Sequence, residues 1–462
     1  MTVTRASSET ELDAVVIGAG FAGLSAAERL RSRGRRCLVL EATDRPGGRA
    51  RSGSSLGAPR PVELGALMIH GRTATTHGWA RRLGLAVRPL PVLTRCRLSY
   101  RRKVARYPWF ALPFHPVIGT RAAIAGYRTV PRDLLRYTGP DCSLSFLEDR
   151  WGVEGPTRLL VELLHAHTYA TDPDCVGVLG SAEEDREAGE TYFYHNFQVL
   201  EGYSELARRA ADALGPILRF GRVVTHVLRG ENGVRVRART SGGEEEYTAR
   251  TVVVTVPLGV LKAEVIAFDP PLPEPKRRAI GRIGVGDGYA LSLRVRGGTM
   301  RSRLGDFSLL WGGTASTFYR PHFGLRSPVE VITAFTVGRE ARRRTGMNRE
   351  ALVAATAAEF AEVVPETVTL GAVEESDVHL WGLDPWVRGA YSYLPPGASL
   401  SDRRELASPV GERMFFAGEA TNLTGESGTV SGAIASGERA ADEVLATLRA
   451  SVRPSPEGQG RS

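Results

Sequence analysis

At 462 residues, 42% of them hydrophobic and 24% charged, the chain is too long for one ordinary core and reads as two or three globular lobes. No apolar run is long enough to cross a bilayer, and the opening MTVTRASSETELD has no apolar signal core, so a cytoplasmic protein is the simplest expectation. The net charge of +9 rests on arginine, the lysines being Lys103, Lys262 and Lys276. This reads as the bias of a GC-rich, bacterial genome, and no basic stretch interleaves with aromatics as in a nucleic-acid surface.

Leu12 to Gly18 (LDAVVIG) is an apolar run suited to a buried parallel strand. A glycine turn follows, then an amphipathic helix over Ala22–Arg33 with Leu24, Ala27 and Leu30 on one face. Cys37 to Glu41 (CLVLE) is the second strand, completing a βαβ unit. The stretch from about Pro89 to Val199 changes character, with the aromatic, proline-rich RYPWFALPFHP and then helical periodicity at 145–151 and 157–165. A helix over SELARRAADAL and the strands VVTHVLR and GVRVRAR come next, the strands separated by the hairpin turn Glu231-Asn232-Gly233. TVVVTVP is a further buried strand, and 283–374 mixes strand and helix. A strand at 413–417, a Gly-rich segment and a helix at 431–448 close the pattern, and 451–462 is an expected disordered tail.

The order predicts an α/β chain of two interleaved lobes. A nucleotide-binding lobe takes 1–88, 200–285 and 375–450; a substrate lobe takes 89–199, mostly helical, and 286–374, mostly sheet. Cys37, Cys96, Cys142 and Cys175 lack C-x-x-C spacing and fit reduced thiols, and the nine histidines form no H-x-x-x-H pair beside a carboxylate, so no metal is expected.

Gly18-Ala19-Gly20-Phe21-Ala22-Gly23 matches G-x-G-x-x-G directly after a strand and before a helix, the context a dinucleotide site needs. Gly18 permits the tight turn, Gly20 lets backbone approach a pyrophosphate, Gly23 allows close helix–strand packing, and the helix N-terminus faces the phosphates. Glu41 ends the second strand, where a carboxylate accepts from ribose hydroxyls and repels a 2′-phosphate. The next residues, Pro46-Gly47-Gly48-Arg49, add a second glycine turn and an arginine able to neutralise a pyrophosphate.

The segment from Glu41 to Arg49 resembles the E-A-x-x-x-x-G-G-R segment of the flavin amine oxidases, the superfamily of monoamine oxidases, polyamine oxidases and histone lysine demethylases. ELGALMIHG, EGYSEL, GRVVTHV, VVVTVPLGVL, FDPPLPEPKRRAI, WGLDPWVRGAYSY and FFAGEATNLTGESGTVSGAIASGERAA are similar to that family's motifs in the same order. The resemblance implies a Rossmann-type FAD-binding domain with a discontinuous α+β substrate domain, a two-domain fold also similar to glutathione reductase. It implies that Leu67 and Met68 pass beside the isoalloxazine ring and that Val224 holds the adenine end. Gly418 and Glu419 fall at the ribityl chain, and Thr429 and Val430 at the pyrimidine end.

Where the residues depart from the family they carry further expectations. Ala390 stands where monoamine oxidases attach flavin through cysteine, so the FAD is expected to be noncovalent. Tyr391 matches one wall of an aromatic cage, although a tyrosine at this spacing also serves as packing. The opposite wall falls on Thr429, as in polyamine oxidases and histone demethylases. His70 falls where polyamine oxidases line the substrate tunnel with a polar residue, suiting a hydrogen bond to the substrate nitrogen. Met68 replaces the arginine with which amino acid oxidases of the snake-venom type grip a carboxylate, which argues against a simple α-amino acid.

Ala290 replaces the lysine that holds a water near flavin N5 and assists reaction with oxygen. Slow oxygen use with another acceptor, a base from elsewhere and a changed reaction all remain open. Tyr192, Tyr194, Phe318 and Tyr319 are pocket candidates, with core packing as the alternative reading. The expected function is oxidation at the carbon beside nitrogen of a secondary amine, amide or amino group within a larger, specialised-metabolite substrate, giving an imine. The alternatives are a flavin desaturase or oxidase acting on C–C bonds, similar to phytoene desaturase or protoporphyrinogen oxidase, and a flavin-stabilised interaction protein without turnover. The expected partners are the small-molecule substrate and oxygen or another electron acceptor, with a homodimer left open and neither membrane nor nucleic acid.

Overall fold

The structure, a computed structural model, describes residues 4–5, 12–90, 96–100, 103–106, 130–189, 195–296, 309–311, 316–363 and 372–450. The expected βαβ unit opens it. Strand β1 (Leu12–Ile17) is buried from Asp13 onward, as befits a strand covered on both faces. It pairs in parallel with β2 (Cys37–Leu40) on one edge and with the second half of β3 (Gly243–Val254) on the other. The first half of β3 runs antiparallel to Gly233–Thr240, which closes the expected hairpin with Val223–Gly230. Beyond it, Val252–Val254 also receives Met414–Phe416 in parallel.

Helix α1 (Phe21–Ser32) crosses the last helix, α2 (Val430–Ala450), at close range. The Ser25 hydroxyl donates to Ile434 O at 2.9 Å. A Cβ on Gly437 would fall 2.2 Å from Ala22 O, so the crossing requires glycine there. Alanines of α1 and α2 pack with β1 and β2 in one apolar cluster, while Val15, Ile17, Val252, Val254 and Phe416 fill the other face of the sheet.

Among the described residues the second sheet has seven strands. Strands β4 (Gly288–Val295), β5 (Ser316–Tyr319), β6 (Glu330–Val337) and β7 (Val373–Leu380) are antiparallel neighbours in the order β7-β4-β6-β5. One face packs Leu291, Leu293 and Phe318 against Leu352, Phe360 and Val363 of the helix Arg349–Val363. Because side chains alternate along a strand and cross-strand partners share a face, the opposite face presents one row: Thr317, Phe335, Ala290 and His379.

The stretch expected to be helical supplies Leu144–Arg150, Gly155–His165 and Val178–Ala188. It also supplies Cys96–Tyr100 and Lys103–Arg106 to the second sheet, a strand contribution that the helical expectation lacked. The alternation of Cys96, Leu98 and Tyr100 was the available period-two signal. Asn196–Val199 lies between Ile69–His70 and Val87–Leu90 in a small third sheet, which brings His70 and Asn196 side by side. Among the described residues no helix is long and apolar enough to cross a membrane.

Candidate active site

A cavity of about 620 Å³ runs from the glycine turn after β1 to the row on the second sheet. At its first end α1 begins with no side-chain cap and no acidic residue in its first turn. The orphan N–H groups of a helix start suit an anion. Gly18 sits at φ +103, and a Cβ on Gly23 would lie 1.9 Å from Gly18 O, so the turn and the helix demand glycine for steric reasons. Gly20 differs: a Cβ there meets nothing within 4 Å and would project into free volume. The same holds at Gly418, farther along the cavity.

Glu41 is held by the turn it supports. Its Oε2 accepts from Ala19 N at 2.7 Å, and its Oε1 accepts from the Thr43 amide and hydroxyl at 2.9 and 2.8 Å. Arg45 lines the cavity with its guanidinium on the carbonyls of Pro46 and Gly48, and burial pulls its pKa down. A partly desolvated cation beside an open helix N-terminus and a bare glycine is a cradle that fits a pyrophosphate.

Midway, Arg49 donates to Glu419 Oε1 and to Ala390 O, both at 2.8 Å. Glu419 is buried, and its Oε2 accepts from the Ser392 hydroxyl at 2.6 Å and the Gly428 amide at 2.9 Å. Burial opposes its charge, but Arg49, Arg403 and these donors outweigh it and hold the carboxyl below its usual range. Arg403 is fully buried and donates to Ser392 Oγ at 2.7 Å, bracing the same group. The role expected of Glu419 toward a ribityl chain is therefore shared with a structural one, since much of its acceptor capacity is taken by protein.

At the far end Met68, His70, Asn196, His167, Tyr319, Phe335, Ala290 and Tyr391 line the wall. Tyr391 packs close to Gly428, where a Cβ would come within 3.0 Å of the ring. Asn196 Oδ1 lies 2.7 Å from His70 Nδ1, and because that oxygen only accepts, Nδ1 carries the hydrogen. Burial lowers the His70 pKa, so the ring is neutral near pH 7. His167 sits 2.6 Å from Thr317 Oγ1 and meets Phe335 edge-on at 5.7 Å.

Burial takes His167 down to about 4. Below pH 6.5 the unfolded chain therefore binds a proton that the folded chain refuses, and stability falls as pH drops from 6.5 toward 4. The full effect is about 3 kcal/mol. Urea unfolding at pH 7.5 and pH 5 should show about 2 kcal/mol of this loss, the remainder appearing below pH 5, and His167→Gln should flatten the pH slope.

The cavity wall brings together Gly18, Gly20, Glu41, Arg49, Leu67, Met68, His70, Val224, Ala290, Tyr319, Tyr391, Gly418, Glu419, Thr429 and Val430, all singled out from sequence. Gly23 lies behind the turn, against Gly18 and Thr255. Phe318 is corrected: it is 1% exposed and packs on Phe360 with ring centroids 4.9 Å apart. Neighbours on a strand face opposite ways, so Tyr319 reaches the cavity and Phe318 the core. Tyr192 and Tyr194 lie outside the described residues. His167, Asn196 and Phe335 were not anticipated. Asp172, Asp174 and Cys175 approach one another away from this cavity, but Arg339 pairs with both carboxylates, which leaves a charge-compensated surface cluster.

A family model described as flavin containing amine oxidoreductase matches residues 21–445. The chain is 30% identical over 460 residues to Lysine-specific histone demethylase 1 homolog 2 of Arabidopsis thaliana, covering 94% of this chain and 59% of that protein. It is 30% identical over 475 residues to Polyamine oxidase 3 of Oryza sativa subsp. japonica, covering 93% and 88%. The chain thus spans 52–59% of the length of three of the demethylase homologues it matches. Among solved structures, wild-type putrescine oxidase bound to putrescine superposes with a TM-score of 0.81 at 21% identity, covering 95% of this chain and 99% of that one. Cyclohexylamine oxidase from Brevibacterium oxydans IH-35A gives 0.79 at 22%, covering 95% and 100%. At these identities the structural likeness establishes the fold, with its Rossmann-type domain.

Proposed function

The chain belongs to the flavin-containing amine oxidoreductase family and is an FAD-dependent oxidoreductase, and from that premise we propose that it oxidises the carbon beside an amine nitrogen at the Tyr391 end of the cavity. The observation that carries this reading is the continuity of the cavity, which joins the pyrophosphate cradle at Gly20 to a wall of Tyr391, His70 and Asn196 without a break. In the proposed reaction the α-C–H bond breaks with its electron pair, the nitrogen lone pair forms C=N, and water hydrolyses the resulting iminium. Bound FAD supplies the two-electron acceptor.

The protein's share is placement and dryness. Gly18, Gly20 and the start of α1 would seat the pyrophosphate, with Arg45 and Arg49 as cations nearby. Val224 would meet the adenine end, and Thr429 and Val430 the pyrimidine end. At Ala390 there is no thiol, so attachment is noncovalent. Neutral His70, fixed by Asn196, offers the amine a hydrogen bond without adding a repelling charge. The Tyr391 ring gives the substrate an aromatic face. The finer reading is a secondary amine, amide or amino group within a larger specialised metabolite, with oxygen or another acceptor closing the cycle.

Ala290 supports a second reading, dehydrogenation of a C–C bond, since such a reaction does not call on the missing lysine. Anaerobic addition of an amine panel to the yellow holoenzyme decides between them. Bleaching of the visible flavin band supports amine oxidation, and failure of every amine sinks it.

A further inference from the structure

Glu419 belongs to a closed circuit of buried side chains that starts on a helix remote in sequence, Val178–Ala188. Glu184 of that helix is 2% exposed, and its Oε1 accepts from Arg403 Nε and, at 2.8 Å, from the Ser427 hydroxyl. Arg403 carries the contact onward, donating at 2.7 Å to Ser392 Oγ and at 3.1 Å to Ala420 O. The Ser392 hydroxyl donates to Glu419 Oε2 at 2.6 Å, and the amide of Gly428 donates to the same oxygen at 2.9 Å. Gly428 follows Ser427, so the circuit returns to Glu184.

Both arms of the circuit are anchored. The helix Leu400–Ala407, which carries Arg403, starts with a capping box of Ser399 and Asp402, and Leu400 N donates to Glu183 Oε2 at 2.8 Å. At its end the buried Lys276 ammonium donates to the carbonyls of Glu405, Leu406 and Ser408 at 2.6, 3.0 and 2.7 Å. A cation there satisfies orphan carbonyls and complements the helix dipole. On the other arm, a Cβ on Gly425 would lie 2.3 Å from Glu184 O, so the loop leading to Ser427 lies directly on the helix Val178–Ala188.

A buried ion pair stabilises a fold no better than two well-packed apolar side chains, because desolvation of both charges offsets their attraction. What Arg403 supplies beyond packing is a set of aimed donors. Its guanidinium occupies a lone pair of Ser392 Oγ, which leaves the hydroxyl hydrogen directed at Glu419. Ser392 follows Tyr391, and Gly428 precedes Thr429 and Val430. The circuit therefore bears on the aromatic wall and on the segment expected at the flavin together. Neither Glu184 nor Arg403 lines the cavity, so both act through other residues.

We propose that Glu184 and Arg403 are positioning residues for FAD, holding Glu419, Ser392 and Gly428 in the arrangement that receives the flavin. This rests on the reading that Glu419 meets the ribityl chain and that Thr429 and Val430 meet the pyrimidine end.

The test combines Glu184→Gln and Arg403→Met in one variant, which removes both charges at similar volume and strands neither. The glutamine keeps an acceptor for Ser427. FAD titration by fluorescence quenching is read beside thermal unfolding of the apoprotein and the visible spectrum at saturating FAD. The expected result is a Kd for FAD raised about 10- to 100-fold and a displaced flavin band, with the apoprotein as stable as before. An unchanged Kd and band overturn the proposal. Ser427→Ala decides if the double variant loses its fold, because it opens the circuit at one hydroxyl and leaves the ion pair intact. It should raise the Kd about 3- to 10-fold, and an unchanged Kd there overturns the proposal equally. Glu419→Gln probes the reading underneath. If it binds FAD as tightly as the unaltered protein, that reading falls and the proposal with it. If it alone weakens binding, the proposal fails and the reading stands.

Discussion

Gly20→Ala is expected to weaken FAD binding about 10- to 100-fold while leaving the apoprotein as stable as before. The added methyl meets no protein atom within 4 Å, so the fold has nothing to lose. It does occupy the surface across which a pyrophosphate would approach the backbone. Overpacking a tight contact by one methyl costs about 1–3 kcal/mol, and 1.4 kcal/mol is a factor of ten in affinity. Gly23→Ala provides the contrast. Its Cβ would fall 1.9 Å from Gly18 O and 3.0 Å from Thr255 Oγ1, so α1 must move off the turn or the chain must unfold. That variant should lose thermal stability as an apoprotein, before any cofactor is added. Thermal unfolding of both apoproteins, followed by FAD titration through fluorescence quenching, separates the two effects. Wild-type affinity in Gly20→Ala would mean that the pyrophosphate is not seated on this turn.

The difference between these glycines also shows what a sequence reveals. The turn was legible because its chemistry is local: the six residues after β1 set the backbone, the helix start and the approach to a phosphate. The same is true of the Glu41–Arg49 segment, whose carboxylate and glycines lie within one loop. Legibility fails where the neighbour is remote. Glu419 looked like a cofactor ligand, and only the fold brings Arg49, Ser392 and Gly428 onto its oxygens. Phe318 and Tyr319 were indistinguishable because their strand has both faces covered, so neither polarity nor size says which residue meets the cavity. His167 and Phe335 depend on the pairing of β5 with β6, and a register is a property of two strands rather than of either sequence.

The register also sharpens the meaning of Ala290, for which Ala290→Lys is expected to accelerate reoxidation of the reduced enzyme by oxygen about 100-fold. Ala290 is 1% exposed, lines the cavity, and stands in the row between Phe335 and His379. The nearest basic group in that row is His379, but both its nitrogens are engaged: Nδ1 accepts from Arg51 at 3.0 Å and Nε2 donates to Asp384 at 2.9 Å. His379 is thus a neutral, fixed ring and a poor stand-in for a mobile ammonium. A lysine at 290 would bring a positive charge into a dry wall, where one preorganised group is worth about 10²–10³ in rate when charge develops beside it. The same burial lowers the new lysine's pKa, so the gain should fade as pH rises through that depressed value. Ala290→Met supplies comparable bulk without charge and should leave reoxidation unchanged while weakening binding of large amines. Stopped-flow mixing of each photoreduced variant with oxygenated buffer reads the rate directly. If Lys and Met behave alike, the charge missing at 290 is not what limits the oxygen reaction, and the alanine is explained by the room it leaves beside Phe335 for a bulky substrate.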